Sequence, residues 1–404
     1  MTVPDVCLYF QVHQPYRLRR FRVFDIGGEQ NPFADEENRR ILHRVAEKCY
    51  RPANALLGEL VRRSNGRFRL ALSLSGVLLE QLAASAPETL ESFQALVATG
   101  GVELLGETYY HSLAALADRA EFEAQVGLHR AAIERWFGRR PTVFRNTELI
   151  YTDQLAPAIA GLGFRAALVE GADHVLGWRS PNHVHGAASA PGLRLLPRNY
   201  RLSDDVGFRF SSREWDGWPL TADRWAEWVA ASGGDSVHLY CDYETFGEHQ
   251  WRETGIFDFL GHVPDAFARR GLRFVHPADL ATRPPIGTLD FPRATSWADV
   301  ERDTTAWLGN GLQQAAQARL YRLREAVIAR GDPGLLERWR RLTTSDHLYY
   351  MCTKWFADGD VHKYFSPYET PYDAFVTFMN VLQDLEQRVA SPGSAVPATV
   401  ALAS

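Results

Sequence analysis

The feature that most constrains the fold is a repeated alternation of short apolar segments with helical patterns between residues 5 and 275. The first segment, Asp5–Val12, is almost continuously apolar, as expected for a strand covered on both faces in a parallel sheet. Similar segments occur at residues 68–75, 102–105, 142–145, 166–171, 193–196, 236–240 and 273–275. Because helical patterns separate most of them, the sequence predicts an α/β fold with about seven strand–helix units in a parallel sheet or barrel.

The length of the chain leaves room for a second unit. A barrel takes ~250 residues, and the chain has 404. We predict a barrel over residues 1–284, ending near Pro284 and Pro285, and a helical region over 285–390 with 3.6-residue periodicity. Residues 391–404, rich in Ala, Ser, Pro, Val and Gly, are predicted to be a disordered tail.

Composition excludes several classes of protein. The hydrophobic fraction of 46% and the charged fraction of 23% are ordinary for a globular protein, and the net charge of −5 argues against nucleic acid as a partner. No apolar run reaches the ~20 residues that span a membrane. The amino terminus lacks a secretory pattern, and the four cysteines are widely spaced. We therefore expect a cytoplasmic enzyme with reduced cysteines and no membrane partner.

A short segment directly after the predicted strand 236–240 concentrates polar and aromatic side chains. Asp242 and Glu244 are followed by His249 and Trp251. Reacting groups of parallel barrels lie at the carboxyl ends of strands, so Asp242 is a candidate catalytic residue and the other three are candidate sugar contacts. The alternative is a solvated acidic loop, but exposed aromatic rings gain little there unless a flat ligand covers them.

A second candidate carboxylate follows the predicted strand that begins at Thr142. Glu148 precedes an apolar tripeptide, which indicates that its carboxylate is partly shielded from water. A buried carboxylate is normally paired, hydrogen-bonded or functional. The alternative to a catalytic role is an ion pair with Arg145.

Polar residues also follow other predicted strands. His13 and Gln14 end the first strand, and Glu107 and His111 follow the strand at 102–105. All four are candidate substrate contacts, although Glu107 and His111 are equally suited to capping a helix or bonding a loop. The remaining candidates for substrate binding are Trp215, Trp297, Asp346, His347 and Tyr349.

Taken in order, five segments of the chain resemble the conserved regions of glycoside hydrolase family 57. They are His13-Gln14-Pro15 and residues 102–113, 144–148, 242–249 and 345–347. The resemblance implies a distorted (β/α)7 barrel, a carboxyl-terminal helical domain that completes the site, and retaining action on α-glucans. By position, Glu148 resembles the nucleophile of the family and Asp242 its general acid/base. The segments 243–249 and 358–365 are most similar to the α-amylase-type members.

Two positions depart from the glucanotransferase members of that family. Those members have a Trp where this chain has Arg145, and a Glu where it has His111. Both changes alter contacts to bound sugar.

Two carboxyl groups suffice to cleave a glycosidic bond. At ~5 to 5.5 Å one attacks the anomeric carbon while the other protonates the leaving oxygen. Asp242 must then be protonated when substrate arrives, so we expect burial and the charge of Glu148 to raise its pKa. The predicted substrate is an α-1,4-glucan or maltooligosaccharide, and no cofactor is needed.

Other functions remain open from the sequence. A 4-α-glucanotransferase or branching-type transglycosylase would use the same two carboxylates. A metal-dependent deacetylase or α-mannosidase-like enzyme is disfavoured because the chain has no His-x-x-x-His pair, and Asp204 and Asp205 are interpreted as caps of a helix at 206–210. A catalytically silent glucan-binding protein would need only the aromatic residues. We therefore predict no metal site.

Overall fold

The protein is described by a computed structural model that covers residues 3–354 and 366–391. The predicted 358–365 motif and all but the first residue of the predicted tail lie outside the described residues. The strands are β1 (Asp5–Val12), β2 (Leu70–Leu74), β3 (Val102–Leu104), β4 (Val143–Arg145), β5 (Ala166–Glu170), β6 (His185–Ala187), β7 (Ala190–Arg198), β8 (Ser236–Asp242), β9 (Arg273–Phe274) and β10 (Thr288–Leu289).

Helices follow most of the strands and make up most of the described residues after 304. They are α1 (Asp35–Val45), α2 (Arg51–Arg63), α3 (Gly76–Ser85), α4 (Pro87–Ala98), α5 (Ala114–Ala117), α6 (Arg119–Phe137), α7 (Ala156–Gly161), α8 (Asp173–Leu176), α9 (Tyr200–Gly207), α10 (Ala222–Ala231), α11 (Ile256–Arg269), α12 (Pro277–Leu280), α13 (Thr305–Leu308), α14 (Gly311–Arg322), α15 (Arg324–Arg330), α16 (Pro333–Leu342), α17 (Ser345–Tyr349) and α18 (Pro371–Ala390). A π-helical segment, Ala46–Tyr50, joins α1 to α2.

Seven parallel strands form a ring. One sheet has the order β3-β2-β1-β8, and the second contains β7-β5-β4. At one seam Gly106 bridges to Phe144, and at the other the Asn199 backbone N–H donates to the His238 carbonyl at 2.8 Å. The alternation of strands and helices thus builds the predicted barrel, with β6 pairing antiparallel to β7 outside the ring.

Strand β1 shows why the barrel strands are apolar throughout. Val6, Leu8 and Phe10 pack into the core between the sheet and its helices, whereas Cys7 and Tyr9 pack into a second cluster with residues from the other strands. Since successive side chains of a strand point to opposite faces, both faces of β1 are buried. This confirms the prediction made from its sequence.

The helical region packs against loops at the carboxyl ends of the barrel strands. Its core includes Trp307 and Trp339 and also takes in Leu18, Leu113 and Ile150, which follow β1, β3 and β4. Burial of these side chains fixes α17 beside the barrel mouth.

One local prediction was wrong. Asp204 and Asp205 do not cap a helix at 206–210, because α9 begins at Tyr200 with Asn199 as its amino-terminal cap. Asp204 instead accepts from Arg198 and Arg302, and Asp205 pairs with Arg209.

Candidate active site

Polar side chains from four barrel strands and from α17 meet at the carboxyl ends of the strands. His13 follows β1, Glu107 follows β3, Glu148 follows β4, Asp242 ends β8, and Asp346 lies on α17. Parallel barrels carry their reacting groups at this end.

Glu148 is surrounded by hydrogen-bond donors. The Trp297 indole N–H donates to its Oε2 at 2.7 Å, and the Ser345 hydroxyl donates to its Oε1 at 3.2 Å. His111 Nε2 lies 3.3 Å from Oε1. Although burial opposes it, the hydrogen bond and charge of His111 lower the pKa of Glu148. The carboxylate is therefore held in its charged form.

The backbone at Glu148 is in the left-handed region, which residues other than glycine rarely adopt. Glu148 has φ 57° and ψ 24° in a short 3-10 helix, Thr147–Leu149, and His111 has φ 50°. Left-handed backbone costs about 1–2 kcal/mol per residue, so surrounding contacts must hold it. The Trp297 backbone N–H supplies one such contact by donating to the Glu148 carbonyl at 3.2 Å.

Glu107 and His111 form an ion pair next to Glu148. Glu107 Oε2 lies 3.1 Å from His111 Nδ1. Burial alone would raise the pKa of Glu107, but the hydrogen bond and charge of His111 lower it to about 2. Burial alone would lower the pKa of His111, but hydrogen bonds to Glu107 and Glu148 raise it to about 9. The imidazole is thus a cation between two carboxylates.

The two acidic groups that follow β8 favour protonation. Burial, and then the charge of Glu148, raise the pKa of Asp242 to about 6, as the sequence predicted. Burial, and then the charge of Asp242, raise the pKa of Glu244 to about 8. Glu244 Oε1 accepts from the Tyr50 hydroxyl and from the His13 backbone N–H. Within residues 3–354 and 366–391, no donor is hydrogen-bonded to the Asp242 carboxyl.

His13 links the two sides of the site. Its Nδ1 lies 2.7 Å from the Ser75 hydroxyl and its Nε2 lies 3.1 Å from Asp346 Oδ2. Its ring stacks on His111 with centroids 4.0 Å apart. Burial, and then the charge of His111, lower the pKa of His13. We conclude that His13 is neutral beside a charged His111.

Arg145 is buried beneath these groups and does not pair with Glu148. Its guanidinium lies 4.7 Å from the centre of the Trp297 ring. No ion pair or hydrogen bond joins its guanidinium to another of the described residues. Its charge still lowers the pKa of both Glu148 and Asp242. The ion-pair alternative for Glu148 is therefore wrong.

Several predicted site residues lie at the edge of this cluster or outside it. Gln14 is buried and its side-chain oxygen accepts a hydrogen bond from Arg17. The pKa of Tyr349 is raised by burial and by the charges of Asp299 and Glu148. The backbone N–H of His249 donates to the Glu244 carbonyl, and burial lowers the pKa of the His249 imidazole to about 4.

Three of the predicted sugar contacts show no described contact with Glu148 or Asp242. His347 is buried in the helical region, where its Nε2 lies 3.2 Å from the Arg341 carbonyl. Trp215 packs edge-on against Trp228, and Trp251 is 60% exposed. Their roles in sugar binding stay predictions.

Ser75, Ser345 and Tyr50 also contact site residues, although none of them was a sequence-based candidate. Ser345 lies within the 345–347 motif, so its neighbours indicated the segment but not the hydroxyl. Tyr50 lies in the π-helical segment, and no pattern in the surrounding residues points to Glu244.

Neither a metal cluster nor a membrane-spanning helix occurs among the described residues. No cluster of three or more His, Cys, Asp or Glu side chains within 3–354 and 366–391 is arranged to hold a metal ion. In the same part of the chain, every helix is too short or too polar to cross a bilayer.

Comparisons with known proteins show the family of the chain. Residues 7–289 match the family model of Glycosyl hydrolase family 57. A protein of Methanocaldococcus jannaschii named "Putative alpha-amylase" is 41% identical over 396 residues, which cover 93% of this chain and 83% of that protein.

Two solved structures share the fold. The 4-alpha-glucanotransferase from Thermococcus litoralis superposes with a TM-score of 0.71 at 15% identity over 97% of this chain, which spans 61% of that structure. The GH57-type branching enzyme from Pyrococcus horikoshii gives a TM-score of 0.68 at 16% identity, covering 96% of this chain and 94% of that one. The fold is therefore a (β/α)7 barrel with a carboxyl-terminal helical region. The family match and the 41% identical relative show that the chain belongs to glycosyl hydrolase family 57 and is a glycoside hydrolase.

Proposed function

We propose that this protein is a retaining, α-amylase-like hydrolase of α-1,4-glucans, with Glu148 as nucleophile and Asp242 as general acid/base. The observation that carries the proposal is the opposite protonation preference of the two carboxyl groups. Against the effect of burial, the hydrogen bond and charge of His111 lower the pKa of Glu148, whereas burial and the charge of Glu148 raise that of Asp242 to about 6. Such separated pKa values distinguish a nucleophile from an acid.

The reaction would proceed in two displacements. Asp242 gives its proton to the glycosidic oxygen while a Glu148 oxygen attacks the anomeric carbon, which breaks the carbon–oxygen bond and forms a glycosyl ester. Asp242, now ionised, removes a proton from water, whose oxygen attacks the same carbon and releases Glu148. Two inversions give net retention.

The choice of substrate rests on the names of related proteins. The 41% identical relative is named as an alpha-amylase, and the structural neighbours are named for transfer between glucans or for branching. Glucan chains are common to these names. Glu244 is buried, and His13 and Asp346 are partly buried. His13 contacts both of the others, and all three are suited to bonding sugar hydroxyls.

Two measurements test the proposal. Chromatography of products from maltooligosaccharides and soluble starch separates hydrolysis, which yields only shorter chains, from transfer, which also yields longer ones. Proton NMR of the first product formed shows the α-anomer if the mechanism is retaining. Longer products would favour a 4-α-glucanotransferase or branching-type enzyme, and a first-formed β-anomer would refute the double displacement.

A further inference from the structure

Glu107, His111 and Glu148 form a continuous chain of charged groups that runs from the protein interior to the site. The side chain of Glu107 is 0% exposed, that of His111 is 3% exposed and that of Glu148 is 18% exposed. The His111 ring contacts Glu107 through Nδ1 at 3.1 Å and Glu148 through Nε2 at 3.3 Å. Only the last member of the chain has appreciable access to a ligand.

This burial argues against direct sugar contacts from Glu107. Its carboxylate already lies near Gln11 Nε2 at 3.5 Å and His129 Nε2 at 3.9 Å, both inside the protein. A sugar hydroxyl in the cleft would have to displace His111 to reach it. Glu107 can therefore influence the reaction only through its hydrogen bond with His111.

We propose that Glu107 and His111 are positioning residues, a buried carboxylate–imidazolium pair that keeps Glu148 ionised and directs its carboxylate. This inference rests on the proposed function, in which Glu148 is the nucleophile. Glu107 accepts a hydrogen bond from the His111 Nδ1–H, which orients the ring so that its Nε2–H donates to Glu148. A carboxylate behind a histidine fixes ring orientation in the same way in other sites.

The groups that face His111 are compatible with a permanent positive charge. Carboxylates approach from Glu107 and Glu148, and Asp346 lies behind the stacked His13 ring. The charges of His129 and Arg145 also act on Glu107 and help to lower its pKa. The imidazolium thus has more anions than cations around it. Its pKa is raised to about 9, so it remains protonated at neutral pH.

The backbone reinforces this arrangement. His111 and Glu148 both have positive φ angles, of 50° and 57°. The Ser345 N–H donates to the His111 carbonyl at 2.9 Å, and Ser112 forms a bridge with Thr344. Helix α17 therefore ties the strained loop after β3 in place, and the same serine also bonds Glu148.

The test compares His111→Gln, Glu107→Gln and the double variant, measuring kcat, KM and the pH dependence of kcat/KM on a maltooligosaccharide. His111→Gln keeps an N–H for Glu148 but removes the positive charge. We expect kcat to fall about 10- to 100-fold, because the charge-assisted hydrogen bond to Glu148 becomes a weaker neutral one, with KM changed less than about 3-fold. The acid limb should move to higher pH, because Glu148 loses its nearest cation.

Coupling between the two residues provides the sharper criterion. Glu107→Gln should shift kcat and the acid limb in the same direction but less, and adding it to His111→Gln should have almost no further effect. Glu103→Gln is the matched control, since Glu103 is a mostly buried carboxylate on β3 that bonds the Ala278 N–H and not the site. It should leave all three quantities unchanged.

Opposite results would overturn the pairing. A raised KM with unchanged kcat and pH profile would make these residues sugar contacts, and additive effects would make them independent. If Glu107→Gln fails to fold, His111→Asn, which can reach Glu107 but not Glu148, should lower kcat at least as much as His111→Gln does.

A stability measurement separates this inference from the proposed function. If the wild type turns over no α-glucan, the proposed function fails, yet the ion pair can still be tested by denaturant unfolding. The folded pKa of His111 is raised, so its contribution is fully present below about pH 6.5 and is lost as pH rises through about 9. The stability difference between wild type and His111→Gln should shrink over that range, and a constant difference would refute a charged His111.

Discussion

The two sides of the barrel mouth shift the pKa values of their carboxyl groups in opposite directions. On the side of β3 and β4, which we call the anionic side, the pKa values of Glu107 and Glu148 are lowered. On the side of β8, which we call the acidic side, the pKa values of Asp242 and Glu244 are raised to about 6 and 8. Burial acts in the same direction on all four groups.

What differs is the supply of donors and cations. Glu148 accepts from Trp297, Ser345 and His111, while Asp242 receives no hydrogen bond within the described residues. Since burial alone disfavours charge, a carboxyl group stays ionised only where donors outweigh desolvation. The donors and cations, more than the depth of burial, therefore keep Glu148 ionised while Asp242 favours protonation.

The largest effect is expected from removing the charge on the anionic side. Glu148→Gln preserves shape but cannot form a stable glycosyl ester, so kcat should fall by about 10⁴-fold or more. Rates on maltooligosaccharides test this, with circular dichroism to confirm folding. A variant that retains a tenth of wild-type activity would contradict the assignment of Glu148 as the nucleophile.

Next in size is the loss of the proton on the acidic side. Asp242→Asn cannot donate or accept a proton, and kcat should fall about 10²- to 10⁴-fold. In the wild type, kcat/KM should decline as pH rises above about 6, because Asp242 then loses the proton that the leaving group needs. The variant should lack this alkaline limb, and an alkaline limb that persists at the same pH would assign it to another group.

A smaller effect is expected from one donor on the anionic side. Trp297→Phe removes the hydrogen bond to Glu148 Oε2, which should lower kcat about 10-fold and move the acid limb to higher pH. The control is Trp225→Phe, which loses a comparable indole bond to the Leu202 carbonyl away from the site. It should reduce stability without moving the pH profile, whereas equal profiles for both variants would mean that Trp297 does not tune Glu148.

The sequence was sufficient to place the candidate carboxylates, because strand ends are local features. An apolar run followed by polar residues predicts the carboxyl end of a buried strand, and the structure places Glu148 and Asp242 at two such ends. After Asp242 the chain bends at Gly247, which has φ 111° and where a Cβ would lie 2.1 Å from the Lys48 carbonyl oxygen.

The donors that distinguish the two sides could not be found in the same way. Trp297 and Ser345 lie 149 and 197 positions from Glu148 along the chain. Periodicity reports which face of an element is buried, but not which distant loop covers it. The resemblance to the family indicated the segment around Ser345, while the bonds to Glu148 required the packing of α17 on the barrel.

The smallest change is expected at Trp251, which tests where the acidic side ends. Trp251 follows Asp242 by nine positions and was predicted to stack on sugar, yet it is 60% exposed and has no described contact with either carboxylate. Trp251→Ala should change kcat/KM on short maltooligosaccharides less than about 2-fold and stability by about 0.5 kcal/mol or less. Raising the chain length of the substrate is the informative variable, because a ring outside the carboxylate cluster can contact only sugars remote from the cleaved bond. A 10-fold loss on the shortest cleavable substrate would extend the acidic side to Trp251 and make the β8 segment a continuous sugar-binding surface.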